Sequence, residues 1–89
     1  MAVSKIAREI HEILIEAKRV TIPANSVNVT TSLDVPTGYS FLGIMGCSST
    51  GWIGHVYTSS YRTQTPTIWT SEGASTSARD VNIFYEYYR

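Results

Sequence analysis

The strongest restriction on the fold of this chain comes from its last ten residues, 80–89, which read DVNIFYEYYR. Four aromatic residues occupy the five positions from Phe84 to Tyr88. In a β-strand, alternate side chains point to opposite faces, so Val81, Ile83, Tyr85 and Tyr87 would line one face and Asn82, Phe84, Glu86 and Tyr88 the other. The first face suits a core. In a chain of 89 residues the second is predicted to meet another subunit, so Phe84 and Tyr88 are predicted interface residues.

Size and composition predict one small domain with a neutral polar surface. A chain of 89 residues is near the lower limit at which a single core suffices. Only 16% of the residues are charged and the formal net charge is zero, so we expect neither nucleic acid nor an anionic membrane as a partner. The single cysteine, Cys47, excludes an intrachain disulfide. We interpret it as a small buried apolar residue. The lack of disulfides fits a protein made in a reducing cytoplasm, or one stabilised by oligomerisation instead.

Residues 1–20 read as an amphipathic helix, because they hold most of the charged residues and no Gly or Pro. Two apolar series recur every seven residues and interleave in the a/d pattern of a coiled coil. The β-branched residues at these positions favour coiled coils of three or more helices, so we expect a homotrimeric helix bundle. Its predicted interface residues are Val3, Ile6, Ile10, Ile13, Ala17 and Val20.

The same apolar stripe also suits an ordinary helix that packs on its own domain. Leu14 and Ile15 lie outside the a/d series, and an isolated coiled coil would leave them partly exposed. The series spans fewer heptads than a secure coiled-coil prediction needs. The sequence therefore leaves intrachain packing of the helix open as the alternative.

From Thr21 onward, Ser, Thr, Gly, Val, Ile and Tyr dominate, and strand signals follow at short spacing. We predict strands over 26–33, 39–47, 52–59, 61–70 and 79–88. The 39–47 segment is apolar on both faces, as in a strand covered on two sides. Pro66 favours an edge position or an irregular stretch for 61–70, and Pro36-Thr37-Gly38 predicts a turn.

The predicted fold class is therefore mainly β: a short N-terminal helix, coiled-coil-like, followed by a small antiparallel β-sandwich of about five or six strands. The predicted domains are an N-terminal helix over residues 1–20, as a trimeric coiled-coil stalk, and a β-sandwich head over 21–89. No segment approaches the length of a transmembrane span, so we expect no membrane insertion.

Catalytic and metal-binding patterns are weak in this sequence. His11 and His55 are isolated from any nucleophile-elbow signature. The two histidines and Cys47 lack metal-ligand spacing, so we predict no metal and no cofactor. Nothing in the sequence gathers the carboxylates needed for glycoside cleavage, which would have to come from Asp34, Glu72, Asp80 and Glu86. We therefore predict that the protein is not an enzyme and has no catalytic residues.

Aromatic residues beside polar segments are the remaining candidates for ligand binding. Saccharides bind aromatic rings through their apolar C–H faces while side chains bond their hydroxyls, and Trp and Tyr give recognition surfaces rigid contact area. In a small β-domain, a single aromatic residue more often lies in the core or a subunit interface. The predicted ligand-binding residues are Trp52, Tyr57, Tyr61, Arg62 and Trp69.

The order of segments resembles the C-terminal head modules of tail-fibre and receptor-binding proteins of tailed bacteriophages. The resemblance rests on VTIPANSVNVTTSLDVPTGYSFLGIMGCSS after the N-terminal segment and on ARDVNIFYEYYR at the C-terminus. It covers roughly residues 20–89. It implies a trimeric, β-rich virion protein without disulfides that binds cell-surface saccharides, and it carries no binding residues across. Such heads normally end far longer chains, so we expect either a C-terminal fragment or a small separately encoded virion protein.

Together with these patterns, the resemblance implies a non-enzymatic, homotrimeric module of a phage virion, in a tail fibre or surface appendage, that is made in the cytoplasm of the bacterial host. It would bind a host-surface receptor, in particular a saccharide, or complete a fibre. Two alternatives remain at this point: a monomeric lectin-like carbohydrate-binding domain, and a trimerisation or capsid-decoration piece with no ligand.

Overall fold

The computed structural model describes residues 12–49 and 55–89, and these ranges contain six β-strands and no helix. The strands are β1 (Ile13–Ile22), β2 (Asn28–Thr30), β3 (Ser40–Ser49), β4 (Val56–Thr58), β5 (Thr67–Thr70) and β6 (Arg79–Tyr88). They form two three-stranded antiparallel sheets: the first sheet has the order β1-β6-β3 and the second β2-β5-β4. The prediction of a mainly β, antiparallel fold is confirmed.

The C-terminal strand β6 lies at the centre of the first sheet, between β1 and β3. Its alternation is as predicted: Val81, Ile83, Tyr85 and Tyr87 are buried, whereas Phe84 is exposed. Both neighbours pair with β6 over nearly its whole length. The aromatic C-terminal segment therefore organises the first sheet.

One apolar core joins the buried faces of the two sheets. The first sheet contributes Ile22 and Ile44 beside the buried residues of β6, and the second contributes Val56 and Ile68. Leu33, from the segment between β2 and β3, is fully buried among them. Burial of each such side chain contributes on the order of 1.5–3 kcal/mol. Since each sheet turns one face to this core, each also has an outer face.

The helix predicted over residues 1–20 is wrong for its second half. Residues Ile13–Ile22 form β1, which pairs with β6 from Ile13↔Tyr88 to Ile22↔Arg79. The physical reason is that β6 offers a continuous row of backbone donors and acceptors, and pairing with it overrides local helix propensity. Residues 1–11, which hold the rest of that prediction, lie outside the described residues. β1 also crosses residue 20, and the division into stalk and head stays a prediction.

Two details of the strand predictions are also corrected. β3 is an edge strand of the first sheet, and Leu42 and Met45 are exposed, so the strand is not covered on both faces. β5 is the central strand of the second sheet rather than an edge, whereas residues 61–66 form an irregular stretch, the other alternative that Pro66 favoured. Pro66 precedes β5, where its missing N–H costs no ladder bond.

The predicted turn before β3 is present. Tyr39 N donates to Pro36 O at 3.0 Å, and Gly38 has φ of 91°, a conformation that glycine adopts without strain.

Candidate ligand-binding and assembly surfaces

The outer face of the second sheet carries a row of side chains across all three strands. Asn28 on β2 and Tyr57 on β4 are both direct cross-strand partners of Trp69 on β5. Their neighbours Val56, Thr58, Ile68 and Thr70 are buried, so alternation directs Tyr57 and Trp69 away from the core. Directly opposite residues have Cβ atoms about 5 Å apart, so the three side chains form one continuous surface.

A histidine ring extends this row beyond Tyr57. The rings of His55 and Tyr57 stack with centroids 5.9 Å apart and planes 21° apart. Tyr57 is 38% exposed and His55 is exposed. We call the surface made by Asn28, His55, Tyr57 and Trp69 the aromatic face. It offers broad ring surface together with amide and imidazole hydrogen-bonding groups, and none of the four side chains is drawn into the core.

Beside the aromatic face, Thr30 and Thr67 are cross-strand partners whose Oγ1 atoms lie 2.8 Å apart, in a hydrogen bond. Both hydroxyls keep further lone pairs for an external donor. This part of the surface is polar, because Thr is a good strand former whose side chain also carries a hydroxyl. The aromatic face therefore borders a polar margin.

The structure brings together only two of the five predicted ligand-binding residues. Tyr57 and Trp69 share the aromatic face. Tyr61 and Arg62 are exposed in the segment between β4 and β5, and Tyr61 O accepts a bond from Ile44 N of the first sheet at 2.7 Å. That bond ties Tyr61 to the edge of β3. Trp52 lies outside the described residues.

Sequence reasoning missed Asn28 and His55 as members of the aromatic face. A signal for Asn28 was present, since the alternation of residues 26–33 directs its side chain away from Val27 and Val29. No comparable signal existed for His55, because its stacking on Tyr57 depends on the local course of the chain before β4.

A second, apolar surface lies on the outer face of the first sheet. Ile13 is the cross-strand partner of Tyr88, and Ala17 is the partner of Phe84. All four were predicted interface residues, and the structure places them on one face, though through a strand instead of a helix. Val20 turns to the other side and packs against the core. Val3, Ile6 and Ile10 lie outside the described residues.

Three more exposed residues enlarge this surface. Ile15, 62% exposed, is the partner of Glu86, and Leu42 and Met45 occupy the two register shifts of β3 opposite β6. We call the surface made by Ile13, Ile15, Leu42, Met45, Phe84 and Tyr88 the apolar face. Contiguous exposed apolar side chains of this number are typical of an interaction surface. The opposite end of the same sheet face is polar, with Arg19, Thr21, Asp80 and Asn82.

A polar cluster closes the end of the first sheet next to the apolar face. Glu12 and Arg89 exchange both backbone hydrogen bonds, at 3.0 and 3.1 Å, and their side chains form an ion pair at 3.5 Å. Tyr39 donates its hydroxyl to Glu12, and the Arg89 guanidinium lies 4.9 Å from the centre of the Tyr39 ring. The hydrogen bond from Tyr39 is the main cause that lowers the pKa of Glu12, and the same bond raises the pKa of Tyr39.

The buried Tyr85 hydroxyl lies between a carboxylate and a backbone carbonyl. It is directed at Glu16 Oε2 on β1 and at Asp34 O, 2.7 Å away. Burial first, and then the hydrogen bond to Glu16, raise the pKa of Tyr85 above its ordinary value. The Lys18 ammonium donates to Ser32 O at 2.6 Å. These bonds fasten β1 to the segment that carries Leu33.

Potential metal ligands are not clustered in the described ranges. Residues 12–49 and 55–89 contain no group of three His, Cys, Asp or Glu side chains placed to hold a metal ion. Cys47 is half-buried, and burial raises the pKa of its thiol, which disfavours the reactive thiolate. Within the same residues, no helix has the length and apolar character of a membrane span.

Comparisons of the chain with protein-family models, with curated proteins and with solved structures found no match.

Proposed function

We propose that this chain is a non-enzymatic recognition module that binds a saccharide on its aromatic face. The observation that carries the proposal is the row of Asn28, Trp69 and Tyr57 across the second sheet. A pyranose ring has an apolar C–H face that packs on an aromatic ring, and hydroxyl groups that need hydrogen-bond partners. Trp69 and Tyr57 offer the first kind of contact, and Asn28 and His55 the second.

The biological setting of the module is a separate part of the proposal. We propose host attachment in a bacteriophage virion, and this part is supported by the resemblance of residues 20–89 to phage head modules. The seven-residue apolar series gives the proposed homotrimer little support, because Ile13, Ala17 and Val20 of that series lie in β1. A monomeric lectin-like domain would use the same aromatic face.

The test of saccharide binding is a glycan-array screen followed by titration of the best ligand. Trp69→Ala, Tyr57→Ala and Asn28→Ala are each expected to weaken binding by about tenfold or more, which corresponds to ~1.4 kcal/mol. Tyr61→Ala is the matched control, because this exposed tyrosine is tied to β3 and lies off the aromatic face. Thermal unfolding of each variant checks that the fold is retained.

Binding that is unchanged in all three variants, or lost equally in Tyr61→Ala, would contradict the proposal. A second candidate function, an assembly piece with no ligand, is favoured by the apolar face. Absence of binding to any glycan, together with stable self-association, would support that candidate instead.

A further inference from the structure

We propose that β1 pairs edge to edge with β1 of a second copy, in an antiparallel arrangement centred on Ala17, to form a two-fold dimer. The two copies would share one six-stranded sheet in the order β3-β6-β1-β1-β6-β3. This inference is independent of saccharide binding, since the aromatic face belongs to the other sheet.

The free edge of β1 is the starting observation. β1 is a terminal strand of the first sheet, and its described neighbours form backbone bonds with it only on the β6 side. Glu12 and Arg89 exchange both backbone bonds, which fixes the phase of the ladder. Bonded and non-bonded pairs alternate in an antiparallel ladder, so the even-numbered residues of β1 bond to β6. The odd-numbered residues Ile13, Ile15, Ala17, Arg19 and Thr21 therefore direct their N–H and C=O groups to the free edge.

A long edge strand with unpaired backbone groups is a template for another strand. Pairing centred on Ala17 places Ala17 opposite Ala17, Ile15 opposite Arg19 and Ile13 opposite Thr21. These are the residues whose backbone groups are free, so every such pair can exchange two hydrogen bonds.

Side-chain charge selects this register. With Ala17 at the centre, Glu16 of each copy stands opposite Lys18 of the other, on the same face of the combined sheet. A shift by two residues in either direction places Glu16 against Glu16 or Lys18 against Lys18, which is unfavourable. A shift by one residue places core-side residues of one β1 opposite outer-face residues of the other. It also moves the free N–H and C=O groups of the two strands out of alignment. Inward-pointing charged residues on an edge strand usually discourage pairing. In this register, however, each Glu16 lies opposite a Lys18 of the other copy.

The Glu16 carboxylate and the Lys18 ammonium can each form a further hydrogen bond across the proposed dimer. Glu16 accepts the Tyr85 hydroxyl at Oε2, and Lys18 donates to Ser32 O. A carboxylate accepts further bonds at its second oxygen, and an ammonium has two more donors. In the same register Leu14, 39% exposed in one copy, lies opposite Val20 of the other. The dimer would thus cover an apolar residue that β1 leaves exposed.

The first test compares Ala17→Pro with Ala17→Ser in sedimentation equilibrium of the full chain. Proline removes the N–H at the centre of the proposed pairing, and that N–H takes no part in the bonds to β6, so the fold is expected to survive. Serine keeps the N–H. The expected result is a dimer for the native chain and for Ala17→Ser, and a monomer for Ala17→Pro with an unchanged β-type circular dichroism spectrum.

The second test exchanges the charges. Glu16→Lys and Lys18→Glu each create like-charge pairs and are expected to yield monomers, whereas E16K/K18E together restores the opposite pairs and the dimer. A native monomer throughout a dilution series, a trimer, or a dimer that Ala17→Pro leaves intact would overturn the proposal. So would failure of the folded double variant to recover the dimer. Saccharide titration of Ala17→Pro separates the two proposals, because its aromatic face is unaltered.

Discussion

Tyr85 links β6 to β1 and to the segment before β3. Its ring is 1% exposed in the core, and its hydroxyl reaches both β1, at Glu16, and the segment before β3, at Asp34. The sequence predicted its burial, because strand alternation assigns Tyr85 to the core face. It did not predict the hydroxyl partners, because Glu16 was assigned to a helix. A local error in secondary structure thus concealed a long-range polar contact.

Replacing Tyr85 with Phe is expected to lower the free energy of unfolding by about 1–2 kcal/mol, because Glu16 and Asp34 O lose a buried hydrogen-bond donor. Tyr87→Phe is the control: Tyr87 is also buried on β6, but its hydroxyl has no hydrogen bond in the described ranges. Urea denaturation of both variants gives the comparison. An equal loss in the two would show that the Tyr85 hydroxyl contributes nothing specific.

Alkaline pH provides a related prediction. Burial and Glu16 raise the pKa of Tyr85 above its ordinary value of 10.0. The unfolded chain therefore releases this proton at a lower pH than the folded chain does. Stability is retained below pH 10 and is expected to fall as the pH rises above that value. In Tyr85→Phe this fall should be shallower, as measured by urea midpoints across the alkaline range. An identical slope in both proteins would contradict the assignment.

At the scale of elements, the strands that alternate plainly were predictable and β1 was not. In residues 26–33 and 79–88 the apolar pattern has the two-residue period of a strand, and residues 39–47 form a short apolar run; each of these segments contains a strand. Residues 13–20 have good helix formers and apolar spacings of three and four, which fit a helix equally well. Pairing with β6 decides between the two, and a single sequence does not reveal which segment pairs with that strand. Of the aromatic face, Tyr57 and Trp69 were predicted and Asn28 and His55 were not. Cross-strand neighbours depend on the register of pairing, which a single sequence does not reveal.

Adjacent residues of β6 provide a direct test of its register. Ile83 is fully buried and Phe84 is 37% exposed on the apolar face. Ile83→Ala should therefore lower the free energy of unfolding by about 2–5 kcal/mol through the lost apolar contacts and the cavity left behind. Phe84→Ala should cost less than about 1 kcal/mol in the monomeric chain. Chemical denaturation measures both. A reversed order would mean that the strand is displaced by one residue, because such a slip exchanges its two faces.

At the scale of the whole molecule, the two sheets separate recognition from assembly. Each sheet buries one face in the shared core, so the aromatic face and the apolar face point away from each other. The β1 edge is distinct from both. Copies that associate through β1 would present two aromatic faces on the same side of one continuous sheet. Such an arrangement raises apparent affinity for a multivalent surface without any new contact.

The central claim, that the aromatic face is the recognition surface, is tested most directly by amide and indole NMR shifts during titration with pyranose oligosaccharides selected on a glycan array. The expected result is a set of saturable shifts at Asn28, His55, Tyr57 and Trp69, including the Trp69 indole N–H, with no shift at Phe84 or Met45 on the apolar face. Shifts confined to Tyr61 and Arg62, or to the apolar face, would contradict the claim.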